Sequence, residues 1–183
     1  MKHALLPVLF LALAPLAARA EIQPTPNPAC DGCVAMLPKL TLPANWKQDM
    51  ATSLQDNLDF LVPKDQADSD NSVFIYANAT LDAAGDGKID DFIVADMTGF
   101  YRKDPDLKTT QVPNLTTADG QSLQVYTFDP AAAGGRWEAA AYGEETAADG
   151  SHYFLTFVIS GVDQAHRDDN MGAFRGVILN YRK

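Results

Sequence analysis

Cys30 and Cys33 are the only two cysteines among 183 residues. Their C-x-x-C spacing suits a local disulfide, a redox-active dithiol or part of a soft-metal site. Pro24, Pro26 and Pro28 precede the pair and Pro38 comes soon after it. That leaves no room for the strand and helix that frame a thioredoxin-type dithiol. Val34, not His, stands after Cys33, which excludes haem attachment through C-x-x-C-H. Two thiols without a nearby His leave a zinc site incomplete, while Met36 would add a soft ligand for Cu(I). A structural disulfide is the expected role, with thiol–disulfide or metal handling as the alternative.

Asp82, Asp86 and Asp90 stand at positions 1, 5 and 9 of a calcium-loop-like segment, with Gly87 at position 6 of that register and Ile89 at position 8. Ala84 occupies position 3, and Ile93 stands at position 12, where a bidentate Glu is wanted. A turn that opens the next helix is the competing reading, and calcium is kept as an alternative cofactor. His152 and His166 have no Ser, Cys or Asp at a local spacing that builds a triad, and no G-x-S-x-G elbow occurs, so surface positions are expected. Glu138, Glu144, Glu145 and Asp149 could pair as hydrolytic carboxylates. Glu138 falls in a strand and the other three in a loop, so Glu144, Glu145 and Asp149 are expected to be solvated and open to a protein partner. No P-loop or dinucleotide fingerprint is present. Asn78 and Asn114 begin glycosylation sequons.

The elements that position these residues can be read from periodicity. Residues 88–104 form the clearest helix, with Ile89, Phe92, Ile93, Met97, Phe100 and Tyr101 on one stripe. Asp90 and Asp91 near its start and Arg102 and Lys103 near its end suit the helix dipole. Residues 46–57 read as a short helix, and a last helix runs from Asp163 or Asp168 to Tyr181, burying Met171, Phe174, Val177, Ile178 and Tyr181. Strands are expected at 58–62, 73–80, 108–112, 122–128, 136–142 and 152–159. The last of these, HYFLTFVI, is apolar on both faces and belongs in the middle of a sheet. Segments 64–71 and 144–150 read as polar loops, and 21–28 as a proline-rich leader with no core of its own. Short turns between consecutive strands imply antiparallel pairing. The expected class is α+β, an antiparallel β-sheet sandwiched between helices.

Lys2, an apolar run over 4–17 and the small-x-small site Ala18-Arg19-Ala20 have the layout of a secretory signal peptide. Domain organisation is then 1–20 signal peptide, 21–36 leader with C-x-x-C, and 37–183 a single domain. The expected location is periplasmic or secreted, where a disulfide is stable. Loss of Lys2 and Arg19 takes the formal charge from −10 to −12. Such a charge disfavours nucleic acid and anionic lipid, favours a basic partner and keeps an exported chain soluble.

Residues 42–183 resemble the Mog1/PsbP-like α/β/α sandwich group. The resemblance is carried by LPANW, VP, VFIYANA, IDDFIVADM, GQSLQVYTFD, WEAAAYGEE, HYFLTFVIS and AFRGVILNYRK in that order. Members of the group mostly bind other macromolecules, as partners of small GTPases, photosystem accessory subunits or proteins that chaperone or neutralise secreted effectors. The resemblance implies a non-enzymatic, protein-binding or accessory role and carries no catalytic residues.

Overall fold

A computed structural model describes residues 22–26, 34–56, 58–67 and 70–182. Nine strands and three helices are found among them. Strands β1 (Ile22–Pro26) and β2 (Val34–Pro38) form an antiparallel two-stranded sheet. The remaining elements are β3 (Trp46–Gln48), α1 (Met50–Asp56), β4 (Asp59–Pro63), β5 (Val73–Leu81), α2 (Ile89–Lys103), β6 (Lys108–Thr116), β7 (Ser122–Asp129), β8 (Trp137–Thr146), β9 (His152–Gly161) and α3 (Gln164–Asn180). Strands β3 to β9 make one antiparallel sheet in the order β3-β4-β5-β9-β8-β7-β6. The class is thus α+β, with α2 against one sheet face and α3 against the other.

Strand alternation sorts the two cores. Val73, Ile75 and Ala77 of β5, with Leu155, Phe157 and Ile159 of β9, face α3. Tyr76 and Val158 face α2. As its two apolar faces require, β9 lies at the centre of the sheet. Phe174, Val177 and Ile178 of α3 are fully buried, each worth about 1.5–3 kcal/mol of transfer from water. Asp163 caps α3, accepting the His166 amide at 2.8 Å, and this fixes the helix start at the first of the two expected positions. Helix α2 begins and ends close to its expected bounds, although Tyr101 is 40% exposed and lies off the buried stripe.

Several expectations need correction. The leader does have a place in the core: Ile22 is 4% exposed and packs in the same cluster as Phe157 and Tyr181. Residues 46–57 split into β3 and the shorter α1, because Trp46 and Gln48 pair with Pro63 and Leu61 across a strand ladder. Leu58 precedes β4. Strand β6 continues to Thr116 through a bulge between Val112 and Leu115, which accommodates Pro113. Gln66, in the expected polar loop, is buried and its Oε1 accepts the Ser72 hydroxyl at 3.1 Å. Strand β8 runs through Glu144 and Glu145, so the β8–β9 connection is shorter than expected.

Candidate functional site

The end of β5 and the start of β9 are joined where the Asp82 amide donates to the His152 carbonyl at 2.9 Å. That bond sets the segment after β5 beside the β8–β9 connection. Asp82 Oδ1 accepts the Gly85 amide at 3.1 Å and Oδ2 the Gly87 amide at 2.9 Å. Gly87 is needed here, since a Cβ on it would sit 2.9 Å from Phe154 and 3.0 Å from Asp82 Oδ2. Desolvation alone would raise the Asp82 carboxyl. The amides of Gly87 and Gly85, the His152 contact and the Ala84 amide outweigh it and hold the group below its usual value. The His152 ring lies between two acids, with Nδ1 3.3 Å from Asp82 Oδ2 and Nε2 3.7 Å from Glu144 Oε2.

Exposed Asp86, Asp90, Glu144 and Asp149 lie on these two segments, with Lys88 among them. Of the three calcium-loop residues, Asp82 is committed to loop amides and Asp90 accepts from the Gln124 side chain at 2.9 Å. No group of three or more His, Cys, Asp or Glu side chains is arranged to hold a metal ion among the described residues. Asp149 caps its own turn, accepting the Ser151 amide at 2.9 Å, an interaction that lowers its carboxyl pKa. Glu145 departs from the solvated position expected of it. It is 2% exposed, faces α3, and accepts the Tyr181 hydroxyl at 2.6 Å. Glu144 and Asp149 remain as the exposed acids of the expected partner-binding set.

A second polar cluster lies on the α2 face. Arg136 Nε donates to the Ser160 hydroxyl at 2.6 Å, and that hydroxyl donates to Glu138 Oε1 at 2.6 Å. Tyr142 donates to Asp96 of α2 at 2.7 Å. Burial pushes the Glu138 carboxyl up, against the Ser160 bond and the Arg136 charge. Burial likewise raises Tyr76, with the Glu138 and Asp96 charges adding to it. The carboxylate that senses Glu138 is therefore Asp96, from another element, rather than Glu144, Glu145 or Asp149. Ser160 is 0% exposed, so this cluster holds strands together and presents no nucleophile to solvent.

His166 sits half exposed at the start of α3, 2.8 Å from Asp163. Cys30 and Cys33 lie outside the described residues. The described element directly after them in the chain is strand β2 rather than a helix. Sequence reasoning missed the Asp82–His152 pairing, whose partners are 70 residues apart. It also missed the burial of Glu145, although alternation continued past Ala139 and Ala141 would have placed it inward. The chain matches no family model and no curated protein.

Proposed function

We propose that this chain is an exported, non-enzymatic binding protein that holds a basic protein partner against the acidic corner formed by Asp86, Glu144 and Asp149. The observation that supports this reading most directly is the Asp82 amide to His152 carbonyl bond, which brings two acidic segments to one end of the sheet. Rigid strands ending in exposed polar segments are a common basis for recognition. Charge of one sign over such a surface speeds encounter with an oppositely charged partner. The signal-peptide layout supports the location, and an oxidising location in turn supports a structural disulfide for the C-x-x-C. The finer fold assignment, to the Mog1/PsbP-like group, is supported by one antiparallel sheet with helices on both faces and by the order of elements.

The test is affinity capture with tagged residues 21–183 in extract from the cell envelope and culture medium, read by mass spectrometry. One stoichiometric partner is expected. Its affinity should fall with salt and drop by about tenfold or more when Asp86, Glu144 and Asp149 are replaced by Lys together. Absence of any partner from folded bait, or undiminished capture by the triple variant, overturns the reading.

A further inference from the structure

A groove of about 750 Å³ runs between α3 and the β6–β7 side of the sheet. Small-molecule sites typically enclose roughly 300–1,000 Å³. Val112 and Leu115 of β6, Val125 of β7 and Met171 of α3 give it an apolar lining. Gly172 also lines it, and a Cβ built there meets nothing within 4 Å. No close backbone approach demands a glycine at this point of a helix, and the missing side chain widens the groove.

Three charged side chains line the groove. Arg167 is 5% exposed and engages two carboxylates, Asp168 through Nε at 2.8 Å and Asp129 through Nη1 at 2.6 Å. Arg175 is exposed and makes no ion pair among the described residues. Seven helical residues separate Arg175 from Asp168, a rise of about 10 Å. Asp168 is taken by Arg167, and it forms no ion pair with Arg175. The groove therefore offers an apolar strip, bordered by Asn114, Thr127 and Asp168, with one exposed guanidinium that makes no ion pair among the described residues. A guanidinium pairs with a carboxylate through two parallel hydrogen bonds. The net charge of −10 disfavours a multiply charged anion.

We propose that this groove binds a long-chain aliphatic monocarboxylate, with the chain along Val112, Leu115, Met171 and Gly172 and the carboxylate on Arg175. This site is separate from the acidic corner and does not depend on it. The test is calorimetric titration of the full chain with decanoate below its micellar concentration, with 1-decanol as the uncharged control. Saturable one-to-one binding of decanoate is expected, with decanol weaker. Arg175→Gln should weaken decanoate by about tenfold, the loss of one charge-assisted contact. Gly172→Phe should abolish binding by filling the groove. Absence of saturable binding to the wild type overturns the proposal, as does equal affinity for decanol, or unchanged affinity in the exposed-site variant Arg175→Gln. A dimer in sedimentation that Gly172→Phe dissociates would assign the groove to a second copy of the chain and also overturn it.

Discussion

The Tyr181 hydroxyl donates to Glu145 Oε2 at 2.6 Å, and both residues are buried where α3 ends against β8. The Ile22 amide reaches Glu145 Oε1 at 3.4 Å. One carboxylate thus ties the first described strand and the last helix to the central sheet.

Tyr181→Phe should lower stability by about 1–3 kcal/mol, because a buried carboxylate loses a strong donor. The shift is read as a lower urea midpoint at unchanged slope. An unchanged midpoint would show that the bond contributes nothing net.

Asp59 imposes a pH dependence. Burial pushes its carboxyl above the usual value, against the Leu40 amide and the Gln48 side chain, which favour the charged form. The native state therefore keeps its proton over an interval where the unfolded chain, titrating near 3.8, has lost it. This group lowers stability as pH rises through that interval, and the full loss persists above the folded pKa. Glu138, also raised by burial, acts in the same direction. Asp59→Asn removes its own share. The variant's melting temperature minus that of the wild type should be more positive near neutral pH than at about pH 3.5. A difference independent of pH would refute this.

Ser160 links Arg136 to Glu138. Ser160→Ala should cost about 1–3 kcal/mol, since it takes the hydroxyl donor from the buried Glu138 carboxyl and the acceptor from Arg136 Nε, while Arg136 Nη2 keeps the Ser160 carbonyl at 3.0 Å. A double-mutant cycle with Glu138→Gln should give a coupling above about 0.5 kcal/mol. Strict additivity would mean that the two act independently.

Two glycines should respond in opposite ways. A Cβ on Gly161 would lie 2.6 Å from the Arg167 amide nitrogen and 2.9 Å from the Asp163 carbonyl, backbone atoms that cannot swing aside. Gly161→Ala should cost about 1–3 kcal/mol by pushing the first turn of α3 off the sheet. At Gly172 nothing lies within 4 Å, so Gly172→Ala should gain up to about 1 kcal/mol of helix propensity. Thermal melts of the two variants check both signs.

Helix α2 and strand β9 were legible in the sequence because their patterns are local. A stripe at helical spacing predicts α2, and an apolar run without alternation predicts a strand covered on both faces. The β1–β2 hairpin was not legible. Pro24, Pro26 and Pro38 argue against a strand, yet a two-stranded ribbon leaves outer edges where a missing amide costs little. Ile22 is buried by residues far along the chain, and no local pattern announces that. The acidic corner was half legible. The acids themselves stood out, but their meeting depends on the β5–β9 ladder, and His152 gives no hint of Asp82 in its own neighbourhood.

The convergence of Ile22 and Tyr181 on Glu145 bears on the timing of folding. Ile22 and Tyr181 are 159 residues apart, so the site they share stays incomplete until all the elements between them have been made. The meander from β6 back to β9 delays closure in the same way, because β5 must wait for a strand that begins 71 residues after it ends. Long-range pairing of this kind is slow to nucleate. Such a polypeptide reaches its final shape only after its most distant partners have been made.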